Sequence, residues 1–283
     1  MFDTLIMPFT FPFMQNAFLI VLLVAIPTSL LSCFLVLKGW SLMGDAISHS
    51  VLPGIVVAYV FSLPYTLGAF CAGMFCALST GYLKENSRVK EDTILGVVFS
   101  SMFALGIVLM TKIEVGVHLD HILFGDALGV SQAEIIEASL VALLVVGCIV
   151  LRGKDLLVFV FDHQHAQAIG LPVKLLHYGL LSLLSLATVS ALKAVGMILV
   201  VSMLIAPGAT AFMLTRSFYK MMGVALLLSL SCSFVGIYIS FFIDSAPAPT
   251  IILVMTFAFI VVYGISDYRQ RQINVHPSKA PLQ

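Results

Sequence analysis

Asp45 and His49 lie four residues apart in the run GDAISHSVLPG. On a helix this spacing stacks a carboxylate and an imidazole on one face. That pair suits a divalent metal such as manganese, iron or zinc, whereas copper(I) calls for cysteine and methionine sulfur. Metal binding requires the carboxylate ionised and the imidazole neutral. Beside the pair runs a second stripe, Ala46, Ser50 and Gly54, and small residues at this spacing let a neighbouring helix approach closely. Pro53 lacks an N–H, so the His49 carbonyl loses its helical donor and is free for water, a side chain or an ion. Two readings stand at this point. The pair is either a set of ligands facing a pathway or a hydrogen-bonded lock within the bundle. One pair is half a metal site, and a two-fold dimer would bring two carboxylates and two imidazoles together.

Other polar groups compete. His118, Asp120, His121 and Asp126 fall in the loop GVHLDHILFGDALGV, with His118 and His121 three residues apart, as a second metal contact or as an ordered interfacial segment. Glu134 and Glu137 open an apolar run and are read as first-turn acids favoured by the helix dipole. His163 and His165, two apart, face away from each other on a helix and are not read as ligands. The thirteen methionines are scattered without ligand spacing and are read as apolar filling. The segment between Phe161 and Gly170 reads as a short helix, with Asp162 able to cap it and Gly170 able to end it before Pro172. Such a helix offers a surface to another protein; the alternative is a solvated connector.

Composition and apolar length show which helices carry these groups. Of 283 residues, 60% are hydrophobic and 10% charged, and mean hydropathy is +1.11. Soluble domains are about 45–50% apolar and about 25% charged, so the chain is a polytopic membrane protein. Its apolar runs do not alternate as barrel strands do, which makes the fold all-α. With ~20 residues per crossing, nine spans emerge: Asn16–Leu37, Met43–Ser62, Tyr65–Leu83, Thr93–Thr111, Glu134–Leu151, Leu175–Leu192, Val195–Thr215, Met222–Ile243 and Thr250–Ser266, or eight crossings if one is re-entrant. With the N-terminus outside, twelve of the 14 basic residues face the cytoplasm, leaving Lys112 and Lys193 outside; lysine and arginine excess marks that side. The first sixteen residues carry no Lys or Arg, unlike a cleaved signal peptide, and are read as interfacial. Residues 1–268 form one transmembrane domain and 269–283 a disordered cytoplasmic tail. The balance of 14 basic and 14 acidic residues excludes a basic nucleic-acid face. The five cysteines lie in apolar runs and form no disulfide framework. No phosphate-cradling Walker A loop is present, so the chain is not itself an ATPase.

Four segments resemble one family: KGWSLMGDAISHSVLPG, EDTILGVVFSSMFALGI, FDHQHAQAIGLPV and KAVGMILVVSMLIAPGATA. The sequence is similar, over about residues 10–268, to the permease subunits of ABC importers for manganese, zinc and iron. The resemblance implies a bacterial inner-membrane protein working as a homodimer or a permease pair, with two cytoplasmic ATPase chains and an extracytoplasmic metal-binding protein. It places the family's metal-coordinating residues on Asp45 and His49. It also implies contact with the ATPase through the AQAIGLP run, around Asp162, Ala166, Ala168 and Gly170. The family often has an acidic residue two places before Ala166, where this chain has Gln164. No cofactor is implied, only a transported divalent metal, with manganese or ferrous iron favoured because the outer loop has no long histidine tract. Zinc import is the alternative within the family. A secondary metal transporter would show internal repeats, and an intramembrane metalloprotease would need a motif such as H-E-x-x-H; neither is found.

Overall fold

Helix α1, Pro12–Lys38, opens with proline in its first turn, where the ring's fixed φ suits the helix and the missing N–H has no partner to lose. It ends at Gly39, whose φ of +76° favours glycine. There Gly39 N–H donates to the Val36 carbonyl at 3.3 Å and Trp40 N–H to that of Leu35 at 2.9 Å, closing a Schellman motif. A computed structural model describes residues 7–113 and 129–275 of the chain. The remaining helices are α2 (Met43–Val60), α3 (Tyr65–Asn86), α4 (Glu91–Ile113), α5 (Gln132–Phe161), α6 (His163–Ala168), α7 (Val173–Val195), α8 (Met197–Leu214), α9 (Phe218–Ile243) and α10 (Pro247–Val275). All but α6 are long and apolar enough to cross a membrane, giving nine such helices among the described residues.

α1 lies at the centre, packed against α5, α7, α8 and α9. On one side α2, α3 and α4 pack together; on the other, α8, α9 and α10 do. α7 joins the halves by touching α1, α2, α3, α5 and α8. α1, α2 and α7 are largely buried, whereas α4 and α10 bury little. Large apolar side chains such as Leu143, Val150, Leu253 and Phe257 stand exposed on α5 and α10, the surface expected of lipid-facing helices.

The small-residue stripe of α2 has the role its spacing predicts. A Cβ on Gly54 would overlap the backbone carbonyl of Gly68 in α3, and a Cβ on Gly68 would overlap that of Gly54. One and two turns away, Ser50 and Ala46 are buried, and Ala46 lies beside Cys76, whose Sγ is 3.9 Å from its carbonyl oxygen. Backbones can meet this closely only where no side chain intervenes.

The largest departures from the expected spans are two helix ends. The fifth span was expected to end at Leu151, before RGKD, with a connector beyond. Instead α5 continues to Phe161, and Arg152 reaches Asp155 at 3.2 Å across one helical turn. The charges end the membrane crossing without ending the helix. Likewise α10 runs to Val275, seven residues into the segment expected to be a disordered tail; residues 276–283 lie outside the described ones.

Candidate metal site

Asp45 sits in the first turn of α2 and His49 in the second. Asp45 Oδ1 lies 3.4 Å from His49 Nε2, and both side chains are half-buried. The imidazole stacks on Phe99 of α4, with ring centroids 5.7 Å apart, and meets Phe103 edge-on at 5.2 Å. Its Nδ1 is buried without a hydrogen-bond partner. A structural Asp–His lock would show a short bond and a satisfied ring. Here the contact is near the outer limit of hydrogen bonding and one buried nitrogen is orphaned, which native interiors rarely tolerate without a role. The geometry suits ligands held apart better than a lock.

Although Asp45 and His49 belong to the start of α2, they lie near the middle of the bundle. Gly44 abuts Leu204, midway along α8; Ala46 abuts Cys76, midway along α3; and the rings facing His49 come from the middle of α4. The turn before α2 therefore lies inside the bundle, and Trp40 within it is buried. A polar pair held at that depth is costly unless used. Among the described residues no cluster of three or more His, Cys, Asp or Glu side chains exists, so Asp45 and His49 stand as a pair with no third such side chain clustered beside them. His118, Asp120, His121 and Asp126 lie outside the described residues.

At the ends of α3, α5 and α7 opposite to α6 lies a contact that no local sequence pattern indicates. Glu134 is the first-turn acid expected: its carboxylate accepts from Ser131 N–H at 2.8 Å while Ser131 Oγ accepts from Glu134 N–H, a capping box. Glu137 instead pairs across the bundle with Lys193 Nζ at 2.8 Å, and the same ammonium donates to Thr66 Oγ1 at 2.9 Å. This joins α3, α5 and α7. The signal available was one acid and one of only two outer bases, each near an outer helix end.

The short helix forms within the expected segment. Asp162 Oδ1 accepts from His165 N–H at 2.9 Å, capping α6. Gly170, at φ +80°, ends it in a second Schellman motif: its N–H donates to Gln167 and that of Leu171 to Ala166. The four residues singled out do not share a face. Ala166 is fully buried in the core, whereas Ala168 and Gly170 are exposed beside Ile169. Ala166 thus anchors α6, leaving Ala168, Ile169 and Gly170 on the surface.

The ABC 3 transport family matches residues 10–265. The chain belongs to that family. It is 52% identical to the Chelated iron transport system membrane protein YfeD of Yersinia pestis, over 92% of this chain and 88% of that one. It is 42% identical to the Manganese transport system membrane protein MntB of Synechocystis, over 94% and 90%. The structure of PsaBC from Streptococcus pneumoniae in complex with Fab superposes with a TM-score of 0.86 at 36% identity, covering 97% of this chain and 99% of that one. As an ABC 3 transport family member, the chain is a multi-pass permease of a bacterial ABC transport system, and ATP is hydrolysed by a separate subunit. An ATPase and a substrate-binding protein are its partners in kind. The all-helical bundle expected from the sequence is the family's fold.

Proposed function

We propose that this chain imports divalent manganese or ferrous iron, with Asp45 and His49 as ligands to the metal in transit. The observation that carries this is the half-buried pair, held at the middle of the bundle with a buried unpartnered imidazole nitrogen. Relatives named for iron and for manganese transport support the choice of cargo. Two such pairs, from two copies related by a two-fold axis, supply two imidazole nitrogens and two carboxylates. Carboxylates bind through one or both oxygens, so the set accommodates coordination numbers from four to six. Zinc binds most nitrogen and oxygen sets more tightly than manganese, so preference for manganese must come from geometry, and the higher coordination numbers favour it.

In the proposed assembly one ATPase subunit docks on the exposed side of each α6, through Ala168, Ile169 and Gly170. A metal-binding protein delivers the ion at the opposite end. The deciding experiment reconstitutes the permease with its ATPase and binding protein in vesicles and follows radiolabelled manganese, ferrous iron and zinc. Uptake of manganese or iron that requires ATP and Asp45 supports the proposal. Uptake restricted to zinc, or uptake without the ATPase, overturns it.

A further inference from the structure

We propose that Trp40, packed through His177 and Phe159 onto the start of α6, is a positioning residue that transmits movement of α6 to the Asp45–His49 pair. This rests on α6 being the ATPase contact proposed above. The Trp40 backbone is held on both sides. Its N–H closes the C-terminus of α1 on Leu35 at 2.9 Å, and its carbonyl accepts the Met43 N–H at 3.1 Å, opening α2. Asp45 follows two residues later. A shift of Trp40 therefore tilts the first turn of α2, where the carboxylate stands.

The ring continues the chain of contacts toward α6. Trp40 meets His177 of α7 edge-on, with ring centroids 5.4 Å apart. His177 meets Phe159 of α5 at 6.1 Å, and Phe159 meets His163, the first residue of α6, at 5.6 Å. Lys38, the last residue of α1, places its ammonium 4.3 Å from the centre of the Phe159 ring and 5.8 Å from that of Trp40. Aromatic contacts of this geometry and cation–π contacts are directional. Trp40 and Phe159 are buried, and close-packed interiors rearrange between discrete arrangements rather than deforming smoothly. The cluster occupies the interval between α6 and the Asp45–His49 pair, and it gives a rotation of α6 a route to α2 through buried side chains.

The chain contains a single tryptophan, so its fluorescence reports this cluster directly. The permease is assembled with ATPase subunits whose tryptophans are replaced by phenylalanine and whose hydrolysis is blocked, and emission is read without nucleotide and with ATP. Emission should change on adding ATP, and the change should vanish with Ala168→Glu, which spoils the α6 surface. Unchanged emission, while the corresponding active complex imports metal, overturns the proposal; a complex that imports neither manganese nor iron overturns the import reading instead. In the active complex, Trp40→Ala should lower metal moved per ATP hydrolysed by about tenfold, a size seen for residues in coupling chains. Trp40→Phe should stay within about twofold, and Trp40→Ala combined with Phe159→Ala should be no worse than either alone. Transport and hydrolysis falling together in fixed ratio, or effects of the two substitutions that multiply, overturn it. Should Trp40→Ala fail to fold, the fluorescence result decides.

Discussion

A carboxylate at position 45 can lose its charge without changing shape, which makes the residue scale the sharpest test of the site. Asp45→Asn should reduce uptake by about a hundredfold or more, since losing even an outer-shell partner of a metal ligand costs about 10–100-fold. His49→Gln keeps a side chain against Phe99 and Phe103 while removing the imidazole, and should do the same. Both proteins should remain folded, because neither adds a charge at that depth; uptake at the unmodified rate by a well-expressed variant would make the pair structural. Glu137→Gln tests a different role. Its pair with Lys193 is only half-buried, and such pairs are worth about 1 kcal/mol or less. A small fall in thermal stability in detergent is expected, recovered by exchanging the two charges (Glu137→Lys with Lys193→Glu). The Asp45–His49 pair was legible in the sequence because both members lie on one helix at one spacing. Glu137 and Lys193 were not joined, because 56 residues separate them and no local pattern links them.

At the scale of elements, each spanning helix was legible from its apolar length, and ends such as Met43, Tyr65 and Ile243 fell where expected. The cap-bounded α6 was legible from Asp162 and Gly170. Gly39 and Gly170 mark helix ends at positive φ, and Gly170, placed before Pro172, was readable as one. α5 and α10 overran their expected ends because hydropathy reports where the membrane stops, and a helix in water can continue on local hydrogen bonds and pairs such as Arg152–Asp155. The crossing of α2 and α3 yields a prediction. Gly54→Leu drives a side chain into the Gly68 backbone, which cannot yield as a flexible side chain would, so the cost should exceed the usual 1–3 kcal/mol of overpacking. Loss of properly folded protein, seen as aggregation in size-exclusion chromatography, is expected; a monodisperse variant with unchanged thermal stability would contradict the close approach. α6 gives a paired prediction. Ala166→Glu buries a charge in the core and should destabilise the permease, whereas Ala168→Glu, on the exposed side, should leave thermal stability unchanged and cut ATP-driven uptake by tenfold or more, as a charge at an interface centre does. Equal stability of the two variants would show that α6 does not use Ala166 as its anchor.

For the molecule as a whole, the partition of basic residues predicts that the 152–174 segment, and with it α6, faces the cytoplasm. A cysteine placed there should resist a membrane-impermeant thiol reagent in intact cells and react after permeabilisation; labelling in intact cells would reverse the topology. Assembly follows from the arithmetic of ligands. A divalent metal of this class takes at least four ligands, and one chain offers an aspartate and a histidine with no third His, Cys, Asp or Glu clustered beside them among the described residues. Water could complete the set within one chain, in which case each copy binds its own ion and copies act independently. If instead two pairs converge, one ion is shared, and damage to either copy empties the whole site. Mixed assemblies separate the cases. Tagged wild-type permease is co-expressed with an equal amount of differently tagged Asp45→Asn, and complexes holding one of each are isolated by sequential affinity steps. Independent sites predict about half the manganese of the wild-type assembly in equilibrium dialysis, at unchanged affinity. A shared site predicts one manganese per two wild-type chains and, in the mixed assembly, an affinity weakened by about tenfold or more, since one of two carboxylates is lost from a single coordination sphere. Half occupancy at unchanged affinity would show that the pair of one chain, with water, is a complete site.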